Sequence, residues 1–127
     1  MDLTAFDLKG KVALITGGAH GIGFSIAEGM AKCGATVCFN CSSEASLEKG
    51  LAAYKEAGIE AHGYVADVTD EAAVNAMVAA IKAEVGPVDI LVNNAGLMKR
   101  VPMVEMSHAD FIRVIDVHVG GAFNCSK

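Results

Sequence analysis

No run of basic residues interrupts this 127-residue chain, in which 10 lysines and arginines are outnumbered by 15 aspartates and glutamates for a formal charge of −5. The continuous positive surface that nucleic acid needs is missing, so nucleic acid is not an expected partner. No apolar stretch reaches the length of a membrane span, and Asp2 and Asp7 stand where a secretory leader would be basic and then apolar. These absences lead us to expect a soluble cytoplasmic protein with no membrane partner. Internal repeats, low-complexity segments and linkers are also lacking, and the two prolines, Pro87 and Pro102, fall in connections. The length is that of one small domain or part of a larger one. An apolar content of 53% is ample for a buried core and excludes disorder.

Metal and redox chemistry lack a good case as well. Cys38 and Cys41 form a C-x-x-C, while Cys33 and Cys125 stand alone. A thioredoxin-like pair begins at a helix N-terminus, where the dipole lowers the first thiol's pKa; this pair spans the end of a strand. Zinc would need a second pair of ligands, and none follows, so no metal site is assigned. All four cysteines sit in apolar or strand-like settings, as reduced cytosolic cysteines do.

What is present is a strict alternation of apolar runs and 3.6-period stripes, the pattern of a parallel sheet covered by helices on both faces. Val12 to Ile15 reads as the first strand. Ile22, Ile26, Met30 and Cys33 then mark a helix that stops at Gly34. Thr36 to Asn40 is a second strand, and Ser43 caps a helix with Leu47, Leu51 and Tyr54 inward, ending at Gly58. Ala61 to Ala66 is a third strand. Thr69 is the expected cap of a helix bearing Val74, Met77, Val78, Ile81 and Val85, which Gly86-Pro87 ends. Val88 to Val92 is the fourth strand. Ser107 and Asp110 start a last helix with Phe111, Val114, Ile115, His118, Ala122 and Cys125 along one face, and the residues end inside it. Right-handed crossovers and a glycine loop after the first strand give a doubly wound, Rossmann-like α/β sheet in the order 3-2-1-4.

Three segments fall where one ligand would reach. Gly17-Gly18-Ala19-His20-Gly21-Ile22-Gly23 follows the first strand with the spacing G-x-x-x-G-x-G, suited to a pyrophosphate held on backbone N–H groups at a helix N-terminus. It also has a plain reading as a glycine turn between strand and helix. Asp67-Val68, past the third strand, offers a carboxylate and a backbone amide to an adenine edge, or an ordinary helix-start aspartate. Asn94-Ala95-Gly96, past the fourth strand, lies at the carboxyl edge where open α/β sheets bind ligands, and is also a favoured turn sequence. Their coincidence identifies a nicotinamide-dinucleotide-binding unit.

These residues resemble the short-chain dehydrogenases/reductases. Thr16 to Gly23 looks like that family's cofactor loop, Asp67 like its adenine contact, and Asn93-Asn94-Ala95-Gly96 like its strand-four motif; the similarity runs from about Leu8 to the end. Within the family, Lys49 to Lys55 and Asp89 to Met106, with Lys99-Arg100, look most like the gluconate 5-dehydrogenases. The resemblance implies hydride transfer between nicotinamide and an alcohol or ketone, for this subfamily on a sugar acid. It also implies a homotetramer or homodimer in the intact protein. A 3-oxoacyl reductase or a steroid dehydrogenase is another reading within the family, and a non-catalytic nucleotide-binding module is a third.

The resemblance also implies an acid/base tyrosine in a Tyr-x-x-x-Lys motif, whose lysine lowers a tyrosine pKa otherwise near 10, together with a serine and an asparagine. The family's chains are about twice as long, and residues 1–127 form one NAD(P)-binding domain that ends before the serine, tyrosine and lysine; alone it is expected to be inactive. His118 in Asp116-Val117-His118-Val119-Gly120 stands at the asparagine position. It either joins a proton relay through a water or a carbonyl, or packs on the helix's inner face. Cofactor choice turns on the end of strand two, where Asn40-Cys41-Ser42-Ser43 supplies neither carboxylate nor cation; with His20 near, this favours NADP slightly over NAD. Arg100 is either an anchor for an anionic substrate or a solvated loop arginine. A bare fourth-strand edge and an uncovered last helix would favour self-association.

Overall fold

The computed structural model describes residues 4–127. Strands β1 (Val12–Ile15), β2 (Thr36–Cys41), β3 (Ala61–Val65) and β4 (Ile90–Val92) form one parallel sheet in the order β3-β2-β1-β4. Helices α1 (Gly21–Lys32), α2 (Glu44–Glu56) and α3 (Glu71–Glu84) make the crossovers. The last helix is composite: α4 (His108–Ile115), a π turn over Asp116–Gly120, and α5 (Gly121–Ser126). This is the Rossmann-like order expected from the alternating pattern.

Two-residue alternation along the strands sorts the core into two layers. Ala13, Ile15, Val37, Phe39 and Cys41 face Ala27 of α1 and Tyr54 of α2. Val12, Leu14 and Cys38 face Val74, Met77 and Ile81 of α3, with Cys125 packed against them. Cys38 and Cys41 thus sit in opposite layers, both buried and free. Burial pushes the Cys38 thiol up from 9.0 to about 11 and raises Cys41 as well, the reverse of a redox-active pair. Cys33 departs from its expected apolar setting and lies exposed just past α1.

Several boundaries differ from the sequence expectation for identifiable reasons. Strand β4 begins at Ile90 rather than Val88, because Asp89 uses its backbone N–H on Val12 O at 2.9 Å and its carboxylate on Val12 N at 2.9 Å. The cap of α3 is Asp70, whose side chain accepts from Ala73 N at 3.1 Å. Thr69 is drawn away to Asp67. On the last helix the inner face is Val114, Val117, Gly121 and Cys125, while Phe111, Ile115 and His118 are exposed. Ile22, placed on the inner stripe of α1, is also exposed.

Candidate functional site

The carboxyl ends of all four strands open into one cavity of about 780 Å³, a size suited to a cofactor or a small ligand. Its walls include Gly17 and Ala19 to Gly23 after β1, Cys41 and Ser42 after β2, Asp67 and Val68 after β3, and Asn94 to Met98 after β4. Every residue assigned to the cofactor from the sequence is in this wall, and so is His118. Arg100 is not; it lies exposed on the loop beyond, with its Nε on Met98 Sδ at 2.9 Å.

The glycine loop sits in the middle, held from four sides. Gly17 and Gly21 turn with φ of 64° and 61°. A Cβ on Gly23 would lie 2.5 Å from Gly17 O and 2.5 Å from Asn94 Nδ2, so only glycine lets α1 start this close to the loop. Asn94 Nδ2 donates to Thr16 O at 2.9 Å and to Gly17 O at 3.2 Å. Thr16 Oγ1 accepts from the N–H groups of Asn94 and Ala95 at 3.0 and 2.9 Å. From β2, Asn40 Oδ1 accepts from Gly17 N at 2.9 Å while its Nδ2 donates to Ala66 O at 2.7 Å. From α2, the buried Tyr54 hydroxyl donates to Gly18 O at 2.6 Å.

Helix α1 opens onto this loop with no side-chain bond from His20 at its N-cap and no acidic residue in its first turn. The leading N–H groups and the positive end of the dipole therefore face the cavity without a local anion. The residues present fit a pyrophosphate.

Either side of the loop differs in chemistry. Toward β2 and β3, Ser42 and Ser46 line the wall and Asp67 is tied to Thr69 and Arg113. Thr69's hydroxyl and amide, and beyond them Arg113, hold the Asp67 carboxyl below its ordinary range. Toward β4, His118 Nε2 stands 3.1 Å from Leu97 N and 3.0 Å from Leu97 O, pinning the loop after β4 to the last helix. Gly96 makes room for the ring, since a Cβ there would meet His118 Cε1 at 2.6 Å. His118 is thus exposed on the cavity side and hydrogen-bonded to backbone, not packed on the inner face.

The sequence gives no local sign of Arg113, nor of the bonds by which Thr16, Asn40 and Tyr54 hold the loop. Their partners are 23 to 79 residues away, so no local spacing signals them. Asn40 in an otherwise apolar strand was the available hint, because a buried amide demands partners.

Sheet order, glycine loop and cavity together define a Rossmann-like α/β domain with an open site at the carboxyl edge of its sheet. The model of the short chain dehydrogenase family matches residues 11–127, and the chain belongs to that family. The 2-dehydro-3-deoxy-D-gluconate 5-dehydrogenase of Formosa agariphila is 46% identical, covering 100% of this chain and 48% of that protein. The gluconate 5-dehydrogenase of Gluconobacter oxydans is 41% identical, covering 93% and 46%. A crystal structure of 2-keto-3-deoxy-D-gluconate dehydrogenase from Streptococcus agalactiae has a TM-score of 0.84 at 57% identity, over 95% of this chain and 46% of that one. The gluconate 5-dehydrogenase of Burkholderia cenocepacia, in complex with NADP and tartrate, has a TM-score of 0.84 at 36% identity, over 95% and 48%. The chain spans about half the length of these relatives.

Proposed function

We propose that this chain is the cofactor-binding half of an NAD(P)-dependent oxidoreductase acting on a sugar acid, with NADP preferred. The observation that carries the reading is the cavity itself: a glycine loop and an anion-free helix N-terminus at its centre, in a largely apolar wall that places Ser42, Ser46 and Asp67 on one side and His118 on the other. When bound, the nicotinamide supplies the hydride donor or acceptor. Around it, the first turn of α1 holds the phosphates, Asp67 and Val68 take the base, and Ala95 and Gly96 border the β4 end. Cys41, Ser42 and His20 line the wall after β2 and α1's cap without a carboxylate to repel a 2′-phosphate. The relatives' names, which specify gluconate and its keto and deoxy derivatives, support the substrate class.

Neither tyrosine of the chain serves as the acid/base. The Tyr54 hydroxyl is buried on Gly18 O, and that of Tyr64 donates to Glu84 Oε2 at 2.8 Å; both are pushed up, by burial first and, at Tyr64, by Glu84. We place the proton-transfer residues in the part of the relatives that this chain does not span, with His118 bordering the reacting end. The chain alone then binds cofactor without turning over, and the whole protein is a homo-oligomer. Arg100 lies outside the cavity wall, exposed on the loop after β4, and is proposed as the substrate's carboxylate anchor in the whole protein; an unchanged KM in Arg100→Ala of the whole enzyme would remove it.

Titrating the chain with NADPH and NADH by calorimetry tests the cofactor reading. Saturable binding, tighter for NADPH, is expected. Tighter binding of NADH refutes the preference, and binding of neither refutes the function.

A further inference from the structure

The peptide units that follow β1 are held unequally. In the Thr16–Gly17 unit, Gly17 N–H donates to Asn40 Oδ1 at 2.9 Å and Thr16 O accepts from Asn94 Nδ2 at 2.9 Å. In the Gly17–Gly18 unit, Gly18 N–H donates to Asn40 O at 3.1 Å and Gly17 O accepts from Asn94 Nδ2 at 3.2 Å. Both units are pinned at both ends. The Gly18–Ala19 unit is pinned only at its carbonyl, by the Tyr54 hydroxyl at 2.6 Å. Its N–H, that of Ala19, donates to no acceptor among the described residues, and Ala19 lines the cavity.

Position 18 creates the need for that hydroxyl. A Cβ on Gly18 would meet Phe39 Cβ at 2.8 Å, so the residue has to be glycine. Glycine in turn leaves the next peptide freer to turn over than any other residue would. Tyr54 removes that freedom from a fixed direction. Its ring is buried, with its centre 4.6 Å from that of Phe24 in the first turn of α1 and 4.9 Å from that of Phe39 in β2. One turn earlier on the same face of α2, Gly50 brings the helix against the loop, since a Cβ there would meet Ala19 Cβ at 3.0 Å. Burial raises the hydroxyl's pKa above its ordinary value, so in neutral solution it stays a donor.

The carbonyl and N–H of a planar trans peptide point opposite ways, so drawing Gly18 O toward α2 turns the Ala19 N–H away from it. We propose that Tyr54 is a positioning residue for the cofactor: by holding the Gly18–Ala19 peptide in one orientation, its hydroxyl keeps the Ala19 N–H presented to an acceptor oxygen of the bound dinucleotide. A flipped peptide would offer that ligand a carbonyl oxygen instead, which repels phosphate and ribose oxygens alike. The inference rests on the dinucleotide reading above and adds to it a residue of α2 that lies outside the cavity wall.

The test is Tyr54→Phe, which keeps the ring and removes the hydroxyl. By calorimetry Y54F should bind NADPH about three- to tenfold more weakly than the unaltered chain, the weight of one hydrogen bond on the orientation equilibrium. In amide NMR of the ligand-free chain, the single Ala19 signal should broaden or double in Y54F as two orientations exchange. A packing role alone would lower Tm and leave both the Ala19 signal and the affinity as they were. NADPH affinity in Y54F within about twofold of the unaltered chain overturns the inference and leaves the proposed function standing. Weaker binding with an undisturbed Ala19 signal overturns it as well. If the unaltered chain binds no dinucleotide, the dinucleotide reading falls and this inference with it. Should Y54F lack a melting transition, the Ala19 amide proton of the unaltered chain decides: a downfield movement that saturates with NADPH sustains the inference, and no downfield movement overturns it.

Discussion

Asn94 commits both of its amide hydrogens to carbonyl oxygens, those of Thr16 and Gly17, and so acts on the glycine loop from below. Replacing it by Asp would turn an acceptor toward two acceptors. Asn94→Asp is expected to lose about 1–3 kcal/mol of stability in urea denaturation, with weaker NADPH binding as the loop shifts. Stability equal to that of the unaltered chain would refute this bridging role. The position of Asn94 was legible because Asn and Gly after a strand mark the carboxyl edge. Its partners were not, since they lie 77 and 78 residues back and exist only once β4 lies beside β1. The thiols give a pH prediction at the same scale. Cys38 titrates at about 11 in the fold against 9.0 without burial, so the unfolded chain loses that proton first as pH rises. Stability from this group is complete below pH 9 and lost progressively toward pH 11. Cys38→Ala should flatten the alkaline limb of a stability-versus-pH curve between those values. Alkylation at pH 8 should meanwhile label exposed Cys33 well before Cys38.

Among the elements, the start of α3 shows how two adjacent polar residues divide their roles. Both Thr69 and Asp70 are good cap types, and spacing alone cannot choose between them. The structure chooses Asp70 because Asp67, two residues before Thr69, captures the threonine's N–H and hydroxyl. Asp70→Ala is therefore expected to cost about 1 kcal/mol in unfolding while leaving nucleotide affinity unchanged. Thr69→Ala should do the reverse, weakening adenine-nucleotide binding several-fold with a small loss of stability. Equal effects of the two substitutions on unfolding would show that the roles are not divided. Helix and strand identities were otherwise readable, as both periodicities are set by which faces the sheet buries. The π turn at Asp116–Gly120 was not, because an extra residue in one turn leaves no compositional mark.

For the whole molecule, the sheet order followed from alternation and crossover handedness, both global constraints that a short α/β chain satisfies in few ways. The outer surface is less constrained, and there the last helix presents Phe111, Ile115, Val119 and Phe123 at four-residue spacing, between 44% and 62% exposed. Four-residue steps drift around a regular α-helix, but the wider π turn, with its i→i+5 bonding, draws these positions back toward one line. A continuous apolar strip on a helix whose other face is already packed on Val68 and α3 calls for a covering surface. A second copy supplies one most simply, since a two-fold axis lays the same strip against itself. If the proposed homo-oligomer forms this way, Val119→Lys combined with Phe123→Glu places charges opposite apolar partners in both copies at once. Sedimentation velocity should then show the unaltered chain moving to larger species with rising concentration and the double variant remaining monomeric, with the same far-UV spectrum. Both substitutions lie on the solvent side of the helix and away from the cavity, so NADPH affinity should be retained. A monomer for the unaltered chain across the concentration range would show that the strip is not a self-association surface, and identical assembly of the double variant would place the interface on another face.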